Sequence, residues 1–529
     1  MIRYRTSLGL TSFLLTSSPF AGNSAFAASC ESLSSLKLPD TTIAMALPVA
    51  ANTFAPRAGA KPVPVAFCRV AGSIKPTSDS DIKFEVWLPQ AGWTGRYESV
   101  GDGGFAEAIS LNEMVTPLRL AQPARARTME HESAKNTQTE WAVGHPEKLI
   151  DFAYRAVHVT AEVGKAVTAA FYGSKPKYSY FIGCSMGGRE ALTEAQRYPA
   201  DFDGISAGDP GNQWASQHAG DAANMKAFTM SKAGYISPAD IQKVGAAVIE
   251  QCDAVDGIKD GLISDPRQCR INTATLPLTP AQLKTYQTVH DGPKTSTGKQ
   301  IFPGMPYSSE SVGWVQYFAG PSFVEAPTKA RRALMANSTF SNLVYHDPNW
   351  TFMSYDPDKT PVDIQKTMGP IIDAMNPTFT GFKARGGKLI SYHGWADSDI
   401  SPFSTVDFYN SSIAAQGGLD KTQDVYRLFM VPGMGHCGGG PGPNQFGQAG
   451  GDGGADHDVV TAPQQWVEKG VAPKKIIATK FVDNDRTKVP QMTRPLCVFR
   501  ETAKYKGTGD INNADNFACA NPDVSKQRP

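Results

Sequence analysis

The sequence lacks the features that mark several large classes of protein. Its formal net charge is only +1, and no stretch interleaves Lys or Arg with aromatic residues, so nucleic acids and acidic membrane surfaces are poor candidates as partners. Beyond the N-terminus no run reaches about 18 apolar residues, so we expect no membrane anchor in the mature protein. Repeats are absent. With 41% hydrophobic and 19% charged residues, the chain has the composition of a globular protein.

The N-terminus has the layout of a secretory signal peptide, which we assign to residues 1–28. Arg3 and Arg5 precede a weakly apolar run, and residues 25–28 offer a small-residue cleavage site. The alternative is a frayed N-terminal helix. Cys30 is not preceded by a lipid-attachment motif. We therefore expect an exported protein, periplasmic or secreted, that is a monomer or a homodimer.

An even number of cysteines follows the predicted cleavage site. In an exported chain this favours disulfides over free thiols. Eight cysteines allow 105 pairings on sequence grounds alone. They are Cys30, Cys68, Cys184, Cys252, Cys269, Cys437, Cys497 and Cys519.

Strand and helix patterns alternate in two separate parts of the chain. The first part, 29–211, contains strand patterns at 81–89, 96–100 and 178–182 and helical patterns at 146–172 and 189–197. Strand patterns return in the second part, 381–529, at 388–392, 426–431 and 474–482. The stretch between them is rich in Pro, Gly, Asn and Ser, without clear strand–helix alternation. We predict one α/β domain into which a large lid domain, 212–380, is inserted.

A nucleophile motif occurs where a predicted strand meets a predicted helix. Gly183-Cys184-Ser185-Met186-Gly187 matches G-x-S-x-G, in which small residues relieve the crowding of a strained turn that exposes the serine hydroxyl. The alternative is an ordinary tight turn. The motif predicts an α/β-hydrolase fold with Ser185 as nucleophile. The backbone N–H of Met186 and one from the glycine turn at 101–104, assigned to Gly104, would bind the oxyanion.

The predicted base and its orienting acid follow the nucleophile in the chain order of this fold, Ser, Asp or Glu, then His. His436 follows a predicted strand on a glycine-flanked loop. Asp397 also follows a strand, and we prefer it to Asp399, which we interpret as a solvated loop carboxylate. Asp397 would hold the imidazole tautomer and stabilise the imidazolium.

Two cysteines adjoin the predicted nucleophile and base. Cys184 directly precedes Ser185, and Cys437 directly follows His436. A disulfide between them would hold their Cα atoms within roughly 7 Å and so keep the serine and the histidine side by side. The alternative is a pair of buried thiols.

An acidic loop between Cys252 and Cys269 predicts a structural calcium site. Carboxylates and carbonyls are the oxygen ligands that calcium prefers. The spacing differs from an EF-hand, zinc is disfavoured because no His or Cys thiolate is available, and the alternative is a solvated Asp-Gly turn. Cys269 is close enough in sequence to bridge to Cys252. The predicted ligands are the side chains of Asp253, Asp256 and Asp260 and the carbonyls of Ile258 and Leu262.

Together these motifs resemble the tannase and feruloyl esterase family over most of the mature chain. The specific marks are Gly183-Cys184-Ser185-x-Gly187-Gly188-Arg189, the acidic loop between Cys252 and Cys269, and Gly433-Met434-Gly435-His436-Cys437. The resemblance implies a triad of Ser185, Asp397 and His436, structural calcium and a lid over an aromatic-acid pocket. It also implies the disulfides Cys30–Cys68, Cys184–Cys437, Cys252–Cys269 and Cys497–Cys519.

The family hydrolyses gallate esters, feruloyl and related cinnamoyl esters, and mono(2-hydroxyethyl) terephthalate. By resemblance, Trp350 would stack on the aromatic acid, although it could equally be a core residue. In the terephthalate-specific member an arginine grips the free carboxylate, and we assign that place to His346, which disfavours efficient terephthalate monoester hydrolysis.

We therefore predict a serine esterase for small aromatic esters that needs no organic cofactor. A penicillin-binding or β-lactamase-like enzyme is disfavoured, because Ser34-Ser35-Leu36-Lys37 has neither an S-D-N nor a K-T-G companion. The other alternative is an exported calcium-stabilised binding protein without turnover, against which the complete Ser, Asp and His set argues.

Overall fold

The computed structural model describes residues 28–106, 109, 111–115, 124–129, 135–448 and 454–521. Almost all of the predicted signal peptide lies outside these residues and stays a prediction. Within the described ranges, no helix combines the length and the apolar character needed to cross a membrane.

A sheet of nine strands forms the centre of the molecule, in the order β1-β2-β3-β5-β4-β6-β7-β8-β9. β1, β2 and β3 pair antiparallel, and the six strands from β5 to β9 in that order are parallel to one another. Two hairpins, β10–β11 and β12–β13, lie outside this sheet. The strands are β1 (Thr41–Val49), β2 (Phe67–Ile74), β3 (Ile82–Pro89), β4 (Arg96–Val100), β5 (Ala124–Met129), β6 (Tyr178–Cys184), β7 (Gly204–Gly208), β8 (Lys388–Gly394), β9 (Tyr426–Val431), β10 (Lys475–Phe481), β11 (Pro490–Cys497), β12 (Thr502–Tyr505) and β13 (Phe517–Ala520).

Helices connect the parallel strands and cover the sheet. The helix predicted at 146–172 is present, with a π-helical turn at Asp151–Arg155 between two α-helical pieces. The α-helices are α1 (Pro146–Ile150), α2 (Ala156–Tyr172), α3 (Met186–Arg197), α4 (Trp214–Thr229), α5 (Pro238–Cys252), α6 (Pro280–Asp291), α7 (Glu310–Trp314), α8 (Ala326–Lys329), α9 (Arg331–Ser338), α10 (Thr360–Thr367), α11 (Gly369–Ile372), α12 (Thr380–Ala384), α13 (Pro402–Gln416), α14 (Leu419–Gln423) and α15 (Thr461–Lys469).

The sequence patterns missed β7, which is short and contains little side-chain volume. A Cβ atom on Gly204 would lie 2.7 Å from the Tyr180 ring, and one on Gly208 would lie 2.1 Å from the Tyr392 ring. Rings from both neighbouring strands therefore fill the space beside β7. The strand predicted at 474–482 exists as β10, but it belongs to a hairpin and not to the central sheet.

The chain between β7 and β8 folds as helices α4 to α12, all of it described, with no strand. These helices pack around a hydrophobic core separate from the main core of the sheet, and this core includes Trp214, Phe228 and Trp314. The same core includes Met186, which follows Ser185, and Phe105, which follows the glycine turn at 101–104. The predicted site therefore lies where the inserted helices meet the carboxyl edge of the sheet. The domain boundaries and the lid role stay predictions.

Candidate active site

Ser185 occupies a strained turn between β6 and α3. Its backbone has φ 65° and ψ −119°, a left-handed conformation that a non-glycine residue rarely adopts. A Cβ atom on Gly183 would lie 2.3 Å from the Gly187 carbonyl oxygen, and one on Gly187 would lie 2.9 Å from that of Asp102. The glycines on both sides are therefore required by close backbone contacts, as the motif predicted.

The glycine turn that follows β4 packs directly against this elbow. The Gly187 N–H donates to the Asp102 carbonyl at 2.7 Å, and the Asp102 N–H donates to Glu190 Oε2 on α3 at 3.0 Å. Gly104 has φ 61° and, with Ser185 and Met186, lines one cavity. Met186 opens α3, where the first amides have no partner within the helix. This geometry is compatible with the predicted oxyanion donors, Met186 and Gly104, which stay predictions.

The structure contains the disulfide between Cys184 and Cys437, with Cα atoms 6.0 Å apart. Because these cysteines adjoin Ser185 and His436, the disulfide ties the end of β6 to the loop after β9, across the carboxyl ends of β7 and β8. The other three disulfides, Cys30–Cys68, Cys252–Cys269 and Cys497–Cys519, are also present.

Asp397 is fully buried and accepts a hydrogen bond from His436, with Nδ1 and Oδ2 2.8 Å apart. Its other oxygen, Oδ1, accepts the backbone N–H groups of Asp399 at 2.7 Å and Ile400 at 3.1 Å. Burial alone would raise the pKa of Asp397, but the charge of His436 and hydrogen bonds from His393 and His436 lower it well below its usual range.

His436 is mostly buried, with 13% of its side chain exposed. Burial disfavours its protonated form, but the negative charges of Asp397 and Asp399 outweigh that effect and raise its pKa to about 9. His436 Nδ1 is held by a carboxylate, as in an oriented general base, but no hydrogen bond joins His436 to Ser185 among the described residues, so proton transfer between them stays a prediction.

The interpretation of Asp399 as a solvated carboxylate is wrong. Its side chain is only 8% exposed, and its Oδ2 lies 3.5 Å from His436 Nε2. The buried Arg332 donates to the backbone carbonyls of Ser398 and Asp399, which draws this loop beneath α9. No local sequence pattern indicated that contact, since Arg332 comes from the inserted helices.

Sequence reasoning also missed a second buried histidine and a second buried carboxylate behind the predicted triad. His393 Nε2 lies 3.1 Å from Asp397 Oδ2, and its Nδ1 lies 2.8 Å from Thr405 Oγ1. Asp209, directly after β7, lies 3.6 Å from His393 Nε2. The position of both residues at the carboxyl ends of strands was the only available signal.

The cavity at Ser185 opens to solvent, and the space not filled by atoms, including its solvent-open part, is about 320 Å³. Its walls are aromatic, polar and cationic at different points, and they come mainly from α4, α9 and the Asp399 loop. The lining residues are Gly104, Ser185, Met186, Gly211, Trp214, Gln217, His218, Arg331, Met335, Asp399 and Ile400.

Neither His346 nor Trp350 lines this cavity, so the structure does not support their predicted substrate contacts. His346 is exposed. The Trp350 ring packs on Phe340 and Tyr345, with ring centres 4.5 and 5.7 Å away, among the inserted helices. The cationic group beside Ser185 is instead Arg331, which donates to Asn136 Oδ1 at 3.1 Å.

The acidic loop has the donor chemistry that calcium requires. Asp253 Oδ1 accepts the N–H groups of Asp260 and Gly261, and Asp260 Oδ2 pairs with Arg494 at 2.6 Å. Burial raises the pKa of Asp256 and of Asp260, and the other loop carboxylates raise both further. Both oxygens of Asp256 also have protein partners, so calcium here is a proposal that rests on the types of donor and not on a preformed cluster of carboxylate oxygens.

The sequence of this chain matches a known protein family. The family model for tannase and feruloyl esterase matches residues 68–520. This chain belongs to the tannase and feruloyl esterase family. It is therefore a carboxylic ester hydrolase with an α/β-hydrolase fold, as the sequence predicted.

Three members of the family illustrate the similarity. The chain is 37% identical to an uncharacterized esterase of Xanthomonas campestris pv. campestris, over 93% of this chain and 91% of that protein. It is 30% identical to the mono(2-hydroxyethyl) terephthalate hydrolase of Piscinibacter sakaiensis, over 86% and 85%. The crystal structure of feruloyl esterase B from Aspergillus oryzae superimposes with a TM-score of 0.83 at 27% identity, covering 93% of this chain and 99% of that one.

Proposed function

We propose that this protein is an exported serine esterase that hydrolyses esters of hydroxylated benzoic or cinnamic acids, such as galloyl or feruloyl esters. The observation that carries the proposal is the Asp397–His436 hydrogen bond beside the disulfide that adjoins Ser185. Four disulfides support an oxidising compartment, periplasmic or extracellular.

The reaction is acyl transfer through Ser185. Its hydroxyl oxygen attacks the ester carbonyl carbon while His436 Nε2 takes the hydroxyl proton, and Asp397 stabilises the resulting imidazolium. The tetrahedral oxyanion rests on the N–H groups of Met186 and Gly104. The carbon–oxygen bond to the alcohol then breaks, and the alcohol leaves with the proton from Nε2. Water repeats the sequence on the acyl-enzyme, and no organic cofactor is required.

Preference for a phenolic acid is supported by His218 in the cavity wall. Burial lowers its pKa to about 3, so the imidazole is neutral. Nδ1 lies 3.1 Å from the Trp214 carbonyl, which can only accept, so Nδ1 carries the proton and Nε2 is an acceptor. Nε2 has no hydrogen-bond partner among the described residues. Nε2 is buried in this structure, so a hydroxyl donor on the acyl ring would satisfy it once the bound ring displaces part of the cavity wall.

A second candidate substrate, the mono(2-hydroxyethyl) ester of terephthalic acid, is favoured by Arg331. Its side chain lines the cavity beside Ser185 and donates to the uncharged side chain of Asn136. A substrate carboxylate at the far end of the acyl ring would form a charge-assisted pair there. One relative of 30% identity hydrolyses that monoester.

Calcium, if bound, is structural in this proposal. Asp253, Asp256 and Asp260 would hold it with the carbonyls of Ile258 and Leu262, neutralising a loop that Cys252–Cys269 closes. It takes no part in the reaction.

The two substrate classes are separated by initial rates on methyl gallate, methyl ferulate and mono(2-hydroxyethyl) terephthalate, measured with wild type and Arg331→Ala. We expect the phenolic esters to be hydrolysed, with Arg331→Ala lowering kcat/KM for the terephthalate monoester alone, by about tenfold or more. Arg385→Ala, which removes a partly exposed arginine paired with Asp203, is the control. Inactivity on all three esters, with Ser185 labelled by a fluorophosphonate, would reject the substrate class. Absence of labelling in folded wild type would favour a non-catalytic binding protein.

A further inference from the structure

Asp209 lies directly after β7 and touches both loops that carry the other predicted catalytic side chains. Its Oδ1 accepts the backbone N–H of Gly394 at 2.8 Å, and its Oδ2 accepts that of Cys437 at 2.8 Å. Gly394 ends β8, just before the loop that presents Asp397, and Cys437 follows His436. One carboxylate therefore fastens the loop of the orienting acid to the loop of the base.

The backbone around Asp209 holds the nucleophile segment as well. The Ser185 N–H donates to the Gly208 carbonyl at 2.9 Å, and the Ser185 carbonyl accepts the Gly211 N–H at 3.2 Å. The Asp209 N–H donates to Tyr392 on β8 at 2.8 Å. Asp209 itself has φ 36°, a strained value for a residue with a side chain. Such a conformation persists where its contacts over-determine it.

The Asp209 carboxylate is fully buried and belongs to one charged cluster with the predicted triad. The groups facing it are His393, Asp397 and His436. Burial raises the pKa of Asp209 to about 6, the charge of His393 opposes that rise and the charge of Asp397 adds to it. In turn, the negative charge of Asp209, with those of Asp397 and Asp399, raises the pKa of His436.

We propose that Asp209 is a positioning residue of the esterase, which fixes the His436 and Asp397 loops on the end of β7 and stabilises the protonated imidazole with its charge. The inference rests on the proposed Ser185, His436 and Asp397 mechanism. Asp209 touches no reacting atom in this account and acts through backbone N–H groups and through the field at His436.

The test is Asp209→Asn, which keeps the side-chain volume, removes the charge and offers an oxygen to only one of the two N–H groups. We expect kcat for methyl ferulate to fall by about ten- to a hundredfold through misplacement of the base, with KM unchanged. The rate of Ser185 labelling by a fluorophosphonate should fall in the same ratio. The pH dependence of the labelling rate in Asp209→Asn should move to lower pH, because removing a negative neighbour lowers the pKa of His436.

Asp458→Asn is the matched control. Asp458 is also buried, and it accepts two backbone N–H groups, from Val460 at 2.7 Å and Thr461 at 3.2 Å, at the start of α15. The Asp458→Asn substitution should change the free energy of unfolding without moving the pH dependence of Ser185 labelling. Equal effects of the two substitutions on the pH dependence, or an unshifted profile in Asp209→Asn, would overturn the positioning role.

Two further outcomes of these experiments also decide for or against the Asp209 proposal. If Asp209→Asn is not recovered folded, Asp209→Glu replaces it, because this variant keeps the charge and displaces the hydrogen bonds. An unchanged kcat in Asp209→Glu overturns the proposal. A lowered kcat with an unmoved pH profile supports it. If wild type itself fails to label at Ser185, the proposed function is rejected and the Asp209 inference falls with it. Labelling without ester turnover rejects only the substrate class.

Discussion

Removal of the Cys184–Cys437 disulfide should reduce both stability and turnover, whereas removal of a remote disulfide should reduce stability alone. The perturbation is the double substitution Cys184→Ala with Cys437→Ala. The bridge closes a sequence separation of 253 residues and holds the cysteines' Cα atoms 6.0 Å apart. Its loss frees the loop that carries His436 from the strand that ends at the nucleophile.

The magnitude follows from chain entropy. For a separation of 253 residues, the loop-closure relation gives about 5.5 kcal/mol of stabilisation at 25 °C. The Cys497–Cys519 bridge, with a separation of 22 residues, gives about 3.4 kcal/mol by the same relation. Either loss is a large share of the 5–15 kcal/mol by which folded domains are typically stable. Both double variants therefore lose stability, and the Cys184/Cys437 variant loses about 2 kcal/mol more.

The assay combines denaturant unfolding with kcat at a temperature where both variants are folded. We expect kcat of the Cys184/Cys437 variant to fall by about a hundredfold through misplacement of the imidazole, with kcat of the Cys497/Cys519 variant unchanged. A folded Cys184/Cys437 variant with wild-type kcat would refute the view that the bridge holds the base beside the nucleophile. Equal losses of kcat in both variants would refute the view that the effect on turnover is specific to the Cys184–Cys437 bridge.

Two further predictions concern the charged groups. Because the pKa of His436 is raised to about 9 and only the neutral imidazole accepts a proton, kcat/KM should rise with pH toward that value. Asp397→Asn should lower kcat by about 10⁴ and move this rise to lower pH. A pH profile that Asp397→Asn leaves unmoved would contradict the pairing of Asp397 with His436. Removal of calcium with a chelator should lower the melting temperature, and Asp256→Asn should abolish that response; a melting temperature that the chelator leaves unchanged in wild type would contradict the calcium proposal.

The residues that the sequence predicted are those with a local signature. Ser185 lies in a motif whose spacing follows from backbone crowding, and the cysteines beside Ser185 and His436 allowed two distant segments to be placed together. Asp397 was found because it follows a recognisable strand. Each of these inferences depended on a few adjacent residues.

The residues that the sequence missed are placed at the candidate site by tertiary contacts. Asp209 follows β7, a strand that escaped detection because neighbouring tyrosine rings supply its packing. Asp399 looks like a loop carboxylate until Arg332, from the inserted helices, is seen to bind its backbone. The sequence also did not indicate that Arg331 lines the cavity at Ser185 or that His346 lies away from it, because no periodicity or motif shows how the inserted helices fold over the sheet.

The most direct test of the central claim is labelling of the intact protein with a fluorophosphonate, followed by mass spectrometry of the peptide that carries Ser185. We expect one phosphonyl group per chain, on Ser185, with labelling lost in Ser185→Ala and strongly slowed in His436→Ala. Modification of another serine, or labelling of Ser185 at the same rate without His436, would contradict it.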